Sequence, residues 1–537
     1  MTDVTAVTGA LARHPEARPV ARTESGEVAG VVRATRFGPA ISWRAIPYAA
    51  PPTGQLRFAA PRPPLAWDGV RPATVRGPQA PQPNPLLPPQ LAPIFGSRGA
   101  NHEDCLTLDV HVPAAAGPHA PGAAPSVAAD LDGPHPVLVW IHGGGFETGT
   151  AGDFDGALLA ARGRIVVVAI NYRLGMLGFG NMLDVVGERD GIGAPHERVA
   201  TNVGLRDQIR ALEWVRDNIG GMGGDPDRVT IAGESAGACS VSLLMQITAA
   251  RGLFHQAIAQ SGSANMATDR DDAARLAREF CAQVGASRED PSSLWTAPIA
   301  EVLRAELVVS QARPSAITCR PWLDGDLLPD DYAGLARAGD EPSAVAFLSG
   351  HNREEHTFFR RFARGQFPTT RAAIAVALDD AVGPVRAAEL LALYPDDDAG
   401  LTALGTDLAF TMPGIQHSDR QARSANVWRY RLDYRSPAFG LGAFHGLDVL
   451  LLWPQRSLTR LLVLGRDPSG PELADRMQRH WAHFVAHGTP DPDLAPDWTA
   501  YDPRNRTTML FGADDVVASD PERGRREVWG EQEFFIY

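Results

Sequence analysis

Lysine is absent from the 537-residue sequence, so all 50 basic residues are arginine. Arginine stays protonated in proteins, so it cannot serve as a proton-accepting base or form a Schiff base. The absence excludes a P-loop, which needs a Gly-Lys-Ser/Thr sequence to bind phosphate. It also excludes pyridoxal enzymes, lysine aldolases and Ser-x-x-Lys acyl-enzymes. Any acid–base or covalent chemistry must therefore come from serine, histidine, acidic residues, cysteine or a metal.

Cysteine and long apolar segments are scarce as well. The four cysteines have a spacing that fits neither a disulfide framework nor a C-x-x-C metal site. No apolar run approaches the roughly 20 residues of a membrane span. The N-terminal segment lacks the basic start and apolar stretch of a signal peptide. These features predict a cytoplasmic protein with no membrane partner.

Acidic residues outnumber basic ones, 63 to 50, which gives a formal net charge of −13. An acidic surface argues against nucleic acid as a partner, because the phosphate backbone attracts positive charge. With 44% hydrophobic residues the composition is that of an ordinary globular protein. The expected partner is therefore a small molecule.

The order of predicted elements indicates an α/β protein. Continuous apolar runs at 136–141 and 164–170 are typical of parallel strands that are covered on both faces. A helical pattern over 205–219 follows, then a short strand at 228–232 and a helix that continues to Met245. Strand and helix alternate, which favours a mainly parallel sheet. We expect a loosely ordered segment over residues 1–20 and a single domain with insertions over residues 21–537.

The segment 233–237 reads GESAG, a G-x-S-x-G pattern between a predicted strand and a predicted helix. In a nucleophile elbow the glycines relieve crowding, so the serine can occupy a strained turn with its hydroxyl projecting from the sheet. The same pentapeptide also arises by chance as an ordinary turn. Its position between a strand and a helix favours Ser235 as a nucleophile.

The glycine-rich segment 142–146, HGGGF, directly follows the predicted strand at 136–141. Acyl transfer develops negative charge on the carbonyl oxygen, and the loss of one hydrogen-bond donor to it raises the barrier by roughly 3–4 kcal/mol. Consecutive glycines let backbone N–H groups approach that oxygen without obstruction by side chains. Upstream of an elbow, this pattern indicates an oxyanion hole rather than a flexible loop.

Further segments make the chain similar to the type B carboxylesterases, the family of the cholinesterases and the bacterial p-nitrobenzyl esterases. The resemblance runs from about residue 25 to residue 512. It is carried by segments 46–52, 56–58, 103–106, 171–175, 223–226, 481–482 and 498–503. The order of so many separate segments makes a chance resemblance negligible.

The resemblance implies an α/β-hydrolase fold: a large, mainly parallel central sheet flanked by helices. The resemblance also implies a small N-terminal β region, together with helical and loop insertions around the active-site entrance. It implies a Ser–Glu–His triad in that chain order, with neither a cofactor nor a metal. It also implies two ion pairs that tie loops to the sheet: Arg57 with Glu103, and Arg173 with Asp207.

The remaining site residues carry over from the same resemblance. A G-x-N-x-x-E pattern at 350–355 selects Glu355 as the acid, with Glu354 as the alternative if the register is shifted by one. The segment 442–446, GAFHG, matches the histidine loop of the family and selects His445. The oxyanion donors implied are the N–H groups of Gly144, Gly145 and Ala236.

Two positions depart from the family pattern. The family usually has glycine after the acid, whereas this chain has His356, which affects the turn expected at Glu355. The family often pairs the cysteine of its Glu-Asp-Cys-Leu segment with one in a G-P-x-C-P-Q segment. Here residues 77–82 read GPQAPQ, so Cys105 lacks that partner. This agrees with a reducing compartment and predicts a looser loop over 81–104.

Two other functions compete with ester hydrolysis. His351 and His356 flank two glutamates, which suggests a metal hydrolase. An inverted zinc motif needs histidines four apart on one helix face, whereas these are five apart and would point roughly 140° away from each other. A non-catalytic interaction module on an esterase scaffold would typically lack the serine or the histidine, and this chain has both.

The sequence thus predicts a serine carboxylesterase for esters of small or medium apolar acyl and alcohol groups. In this mechanism His445 takes the proton of Ser235 and Glu355 orients the imidazole, so that an acyl-enzyme forms and is then hydrolysed. Carbamates or activated amides are an alternative substrate class, because they share the acyl-enzyme route. No motif sets the oligomeric state.

Overall fold

The computed structural model describes residues 18–83, 99–114, 133–187, 199–313, 317–332, 334–335, 344–363, 365, 367–453, 463–465 and 468–530. Most of the segment that we expect to be loosely ordered, residues 1–17, lies outside these ranges. So does the central part of the predicted loop over 81–104, residues 84–98. The first described strand begins at Val20.

The described chain forms one large mixed sheet and one small sheet. The strands are β1 (Val20–Thr23), β2 (Gly26–Ala29), β3 (Val31–Thr35), β4 (Gly38–Pro47), β5 (Val70–Pro72), β6 (Thr107–Pro113), β7 (His135–Ile141), β8 (Val166–Ile170), β9 (Gly224–Glu234), β10 (Gln256–Gln260), β11 (Ala346–Asn352), β12 (Val427–Leu432), β13 (Thr507–Phe511) and β14 (Val516–Ser519). Strands β1, β2 and β5 form the small N-terminal sheet. The other eleven follow the order β14-β13-β12-β11-β10-β9-β7-β8-β6-β4-β3.

The centre of the large sheet is parallel and its edges are antiparallel. Strands β8, β7, β9, β10, β11, β12 and β13 pair in parallel, in that order. Strand β14 at one edge, and β6, β4 and β3 at the other, pair antiparallel with their neighbours. Every residue of β7 and β8 is buried, as expected for strands covered on both faces. The prediction of a large, mainly parallel sheet is confirmed.

Helices cover both faces of the sheet and supply the insertions between its strands. They are α1 (Ala157–Gly163), α2 (Gly175–Phe179), α3 (Met182–Val186), α4 (Val203–Asn218), α5 (Ala236–Leu244), α6 (Arg270–Val284), α7 (Ser293–Thr296), α8 (Ile299–Gln311), α9 (His356–Phe362), α10 (Arg371–Val382), α11 (Pro384–Leu391), α12 (Asp398–Thr406), α13 (Met412–Gln421), α14 (Leu447–Leu452), α15 (Ser469–His487) and α16 (Arg523–Trp529). A π-helical turn, Asp407–Thr411, joins α12 to α13. None of the helices in the described ranges is long and apolar enough to cross a membrane.

The helix predicted over 205–219 is α4, which has a continuous buried apolar face. The α-helix ends at Asn218, and a short 3₁₀ turn (Ile219–Met222) follows it. Chain reversal comes at Gly223, whose φ of +84° lies in the left-handed region that glycine adopts without steric cost. The α-helix therefore ends one residue before the predicted end at residue 219. Strand β9 is also longer than the strand predicted at 228–232, and it leads directly into Ser235.

The predicted site residues lie at one edge of the large sheet. Parallel strands present their carboxyl ends at a common edge, where α/β proteins bind ligands. Strand β7 ends before the HGGGF segment, β9 ends at Glu234, and β11 ends three residues before Glu355. The loop after β12 contains His445. The topology thus brings four distant segments of the sequence to one place.

Candidate active site

Ser235 lies on a sharp turn between β9 and α5. Its φ of 57° and ψ of −123° are strained for a residue with a side chain, at a cost of about 1–3 kcal/mol. The flanking glycines leave the space for this turn: a Cβ on Gly233 would lie 2.5 Å from the carbonyl carbon of Gly237. A Cβ on Gly237 would overlap the carbonyl oxygen of Ile141. Ser235 therefore occupies the geometry of a nucleophile elbow.

Glu355 and His445 form a buried hydrogen-bonded pair. His445 Nδ1 donates to Glu355 Oε2 over 2.6 Å, and the Glu355 side chain is fully buried. The other carboxylate oxygen, Oε1, accepts from the Ser261 hydroxyl and from the backbone N–H of Asn352, each at 2.6 Å. Burial raises the pKa of Glu355, and the positive charge of a protonated His445 opposes that rise. The pairing fixes the proton of a neutral imidazole on Nδ1 and leaves Nε2 as the basic atom.

The second imidazole nitrogen faces a carboxyl group that the sequence did not single out. His445 Nε2 lies 3.2 Å from Glu234 Oε1, on the residue that precedes Ser235. Burial raises the pKa of Glu234 to about 8. Among the described residues, no hydrogen bond joins the Ser235 hydroxyl to His445 Nε2. Such catalytic hydrogen bonds are often long without substrate and tighten in the reacting complex.

The glycine-rich segment after β7 lies directly against the elbow. A Cβ on Gly143 would lie 3.1 Å from Ser235 Cβ. Gly144 and Gly145 have φ values of 110° and 64°, a backbone conformation that glycine adopts without steric cost. Within the ranges that the structure describes, the N–H groups of Gly144, Gly145 and Ala236 donate to no protein acceptor. They are therefore available to a substrate oxygen.

Several contacts hold this glycine-rich loop in place. The Tyr172 hydroxyl donates to the carbonyl oxygen of His142 over 2.8 Å, and the two rings stack with centroids 4.5 Å apart. Burial lowers the pKa of His142 to about 4, so its imidazole is neutral near pH 7. Gln82 forms two 2.9 Å hydrogen bonds with the backbone of Gly149, one donated and one accepted. The loop is thus fixed from two sides.

Glu354, the alternative acid, makes different contacts from Glu355. Its carboxylate accepts from the backbone N–H of Ala443 over 2.9 Å and forms an ion pair with Arg435. It makes no hydrogen bond with the imidazole of His445, which is held by Glu355. The geometry therefore favours Glu355 as the acid partner.

His356, the departure from the family pattern, is accommodated in a buried space beside Gly405. It begins helix α9, and its N–H donates to the Thr406 hydroxyl over 3.2 Å. The buried imidazole packs on Gly405, where a Cβ would overlap the ring. Its Nε2 lies 3.0 Å from the carbonyl oxygen of Pro368. Glu355 keeps its contacts because Gly405 leaves room for the larger residue.

Aromatic side chains surround the imidazole of His445. The rings of Phe359 and Phe410 lie 4.8 and 4.9 Å from it, centroid to centroid, and Phe358 lies at 6.2 Å. Phe367 packs against Phe359 at 4.4 Å. This wall presents an apolar surface beside the imidazole.

Sequence reasoning missed the polar residues that lie behind Glu355 and His445. The buried carboxylate of Asp448 accepts from Tyr430 Oη at 2.7 Å and from Gln260 Nε2 at 2.9 Å. It also accepts from Asn352 Nδ2 at 3.2 Å, beside the Glu355 turn. Glu234 could have been singled out, since it stands inside the elbow motif. Ser261 and Asp448 carry no motif, and only the fold brings them to the site.

The region around Cys105 is held together without a disulfide. Cys105 is a free, buried thiol, and burial raises its pKa. Gln79 Nε2 donates to Asn101 Oδ1 over 2.8 Å, and Asn101 Nδ2 donates to the carbonyl oxygen of Gln82 over 2.8 Å. These amides join the two ends of the predicted loop, whose centre, 84–98, lies outside the described residues.

The ion pairs expected from the family resemblance are present. Arg57 Nε lies 2.6 Å from a carboxylate oxygen of Glu103, and Arg173 Nη2 lies 2.6 Å from one of Asp207. Both predictions are confirmed. Each pair is largely or fully buried and ties a loop next to the sheet.

The geometry does not support the competing metal site. His351 is part of strand β11, whereas His356 begins helix α9, so they do not share a helix face. The residues that the structure describes include no group of three or more His, Cys, Asp or Glu side chains that could hold a metal ion.

Comparisons with known proteins agree with this geometry. The model of the "Carboxylesterase family" matches residues 17–381 and 394–529. The chain is 32% identical over 506 residues to the para-nitrobenzyl esterase of Bacillus subtilis, covering 93% of this chain and 96% of that protein. It is 31% identical over 526 residues to the phenmedipham hydrolase of Pseudarthrobacter oxydans, covering 94% of this chain and 98% of that protein.

Solved structures show the same similarity in three dimensions. A thermophilic p-nitrobenzyl esterase superposes with a TM-score of 0.81 at 31% identity, covering 96% of this chain and all of that one. This agreement confirms the α/β-hydrolase fold. The chain belongs to the carboxylesterase family and is a serine carboxylesterase that hydrolyses carboxylic esters.

Proposed function

We propose that Ser235, His445 and Glu355 form the catalytic triad of this esterase. The observation that carries the proposal is the buried 2.6 Å hydrogen bond between His445 and Glu355, beside a serine on a strained elbow. The carboxylate orients the imidazole and stabilises the imidazolium that forms when His445 takes a proton. Nε2 is then the atom that accepts the proton of the serine hydroxyl.

The reaction proceeds in two halves. As Nε2 of His445 removes the proton, Ser235 Oγ attacks the ester carbonyl carbon and a tetrahedral intermediate forms. Its oxyanion is stabilised by the N–H groups of Gly144, Gly145 and Ala236. When the intermediate collapses, the imidazolium gives its proton to the leaving alcohol and an acyl-enzyme remains. Water then attacks the acyl-enzyme with the same base and the same donors, which releases the acid and restores the serine.

The substrates proposed are small esters with apolar acyl and alcohol groups. The phenylalanine wall next to His445 supports this class, because it offers apolar surface where the substrate must approach the imidazole. The names of two relatives refer to p-nitrobenzyl esters and to phenmedipham. A p-nitrobenzyl ester series of increasing acyl length is therefore the first panel to test, and the length at which kcat/KM falls reports the size of the acyl pocket.

We further propose that the protein acts in the cytoplasm of a bacterium, on small molecules and without nucleic acid or membrane partners. The four cysteines are free and buried, as expected in a reducing compartment. The net charge of −13 disfavours binding to nucleic acid or to anionic lipid. Fractionation of the native host, with enzymatic markers for each compartment, tests the location.

Labelling with a fluorophosphonate tests the nucleophile. The probe should modify Ser235 in the wild-type protein, as identified by peptide mass spectrometry, and should not label Ser235→Ala. That variant should lose nearly all turnover, by roughly 10⁶-fold as for other serine nucleophiles. The replacement of an exposed serine, Ser287→Ala, serves as the matched control and should leave labelling and turnover intact. A folded Ser235→Ala protein with full activity would exclude this mechanism.

A further inference from the structure

Glu354 contacts the histidine loop through both its backbone and its side chain. Its backbone N–H donates to the carbonyl oxygen of Ala443 over 2.9 Å. In return, the N–H of Ala443 donates to Glu354 Oε2 over 2.9 Å. Glu354 thus binds both the N–H and the carbonyl oxygen of Ala443, which lies two positions before His445.

The loop approaches this carboxylate as closely as a backbone can. Gly442 has a φ of +68°, and a Cβ there would overlap Glu354 Oε2. Its carbonyl oxygen accepts from the N–H of Ser436 over 3.1 Å, which fixes the start of the loop. Glycine at this position lets the carboxylate reach the next N–H group.

A second residue of the same turn holds the next loop position. Asn352 Nδ2 donates to the carbonyl oxygen of Phe444 over 2.9 Å. The turn at 352–355 therefore holds three consecutive residues: Ala443 through Glu354, Phe444 through Asn352, and the imidazole of His445 through Glu355. Displacement of the loop would move the imidazole relative to a carboxylate on the same turn.

The ion pair of Glu354 is the weaker of its side-chain contacts. Arg435 Nη2 lies 3.0 Å from Glu354 Oε1, but the Arg435 side chain is 69% exposed. Exposed ion pairs contribute little, because water screens them. The hydrogen bond from Ala443 is partly buried, and its acceptor is therefore the feature that matters for the loop.

We propose that Glu354 is a positioning residue for catalysis, which holds the histidine loop so that His445 keeps its distances to Glu355 and to the serine. The proposal rests on the proposed function, in which His445 is the base. Glu354 acts through the loop and does not touch the substrate. Because misplacement of a catalytic group by about 1 Å can lower the rate by roughly a hundredfold, loss of the acceptor should act on kcat.

The test compares the kcat and KM of three variants, with kcat expressed per titrated active site. In Glu354→Ala the acceptor for Ala443 is lost; we expect kcat to fall by about tenfold to a hundredfold, with KM within about twofold. In Glu354→Gln the side-chain oxygen still accepts from Ala443, so we expect recovery to within about threefold of wild type. Arg435→Gln removes only the exposed ion pair and should behave like wild type. Titration of active sites with a fluorophosphonate gives the concentration for each kcat.

The pH profile separates positioning from a purely structural role. If the loop loosens, the contact with Glu355 weakens, so the acid limb of kcat/KM in Glu354→Ala should move to lower pH. A structural role alone would lower the number of titrated sites or the melting temperature and leave this limb in place. That outcome, or equal losses in the alanine and glutamine variants, would overturn the proposal. Absence of wild-type labelling at Ser235 would instead refute the proposed function.

Discussion

Glu234 offers the most direct test of the electrostatics at the site. Its carboxyl lies 3.2 Å from His445 Nε2 and is buried. Burial alone would lower the pKa of His445, but the negative charges of Glu234 and Glu355 outweigh it and raise that pKa to about 9. The substitution Glu234→Gln keeps the shape of the side chain and removes one of the two charges.

The size of the effect follows from the distance. Two unit charges 3.2 Å apart interact by about 1.3 kcal/mol in water, and by about 5 kcal/mol at an effective dielectric constant of roughly 20. The smaller figure already corresponds to about a tenfold change in proton affinity. In the proposed mechanism only neutral His445 accepts the serine proton, so we expect kcat/KM to rise as pH increases through the pKa of His445. Removing the negative charge that Glu234 carries above its own pKa of about 8 lowers the pKa of His445 and extends activity to lower pH.

The assay measures kcat/KM between about pH 5 and pH 10. Hydrolysis of a simple acyl ester is recorded by pH-stat, so that the readout does not depend on a chromophore. The midpoint of the acid limb should move to lower pH in Glu234→Gln by about 1 or more. Glu213→Gln, which loses a partner of Arg210 on helix α4, is the matched control and should keep the wild-type midpoint. An unchanged midpoint in Glu234→Gln, or a move to higher pH, would refute this electrostatic account.

Three further substitutions test the packing of the site. Gly237→Ala places a methyl group against a backbone carbonyl that cannot yield, so we expect a loss of at least about 1–3 kcal/mol in unfolding free energy, measured by urea denaturation. Gly405→Ala should destabilise the protein by a similar amount, because the added methyl group clashes with His356. The double variant Gly405→Ala/His356→Gly should recover most of that loss. If the two substitutions instead have additive effects on the free energy of unfolding, the two residues are not packed against each other. Ser261→Ala removes a 2.6 Å hydrogen bond to the buried carboxylate of Glu355, so kcat should fall by about tenfold or more, and an unchanged kcat would show that the bond does not support the acid.

The sequence predicted the elements whose signals are local. Strands β7 and β8 are continuous apolar runs, and Ser235 stands in a short motif between a strand and a helix, so pattern alone identifies them. The apolar pattern predicted a strand shorter than β9, because strand pairing extends β9 beyond its apolar run. Glu355 and His445 required a resemblance to a family, since neither carries a motif that is specific on its own.

The supporting contacts could not be predicted, because they join residues that are distant in sequence. The bond from Ser261 to Glu355 spans 94 positions, and the contact of Glu354 with Ala443 spans 89. Serine and glutamate are common on protein surfaces, so the residue type alone does not indicate that Ser261 or Glu354 supports the site. The close fit of His356 against Gly405 depends on side-chain volume, which becomes visible only once the two helices are packed together.

The amide contacts among Gln79, Gln82 and Asn101 have a consequence for how the enzyme is made and maintained. A disulfide at this place would need an oxidant during biosynthesis and would be lost to a reductant. Hydrogen bonds of about 0.5–1.5 kcal/mol each break and re-form within the native state and need no reagent. The contacts of Gln79, Gln82 and Asn101 can therefore form in the presence of thiols, and a reductant would leave them intact.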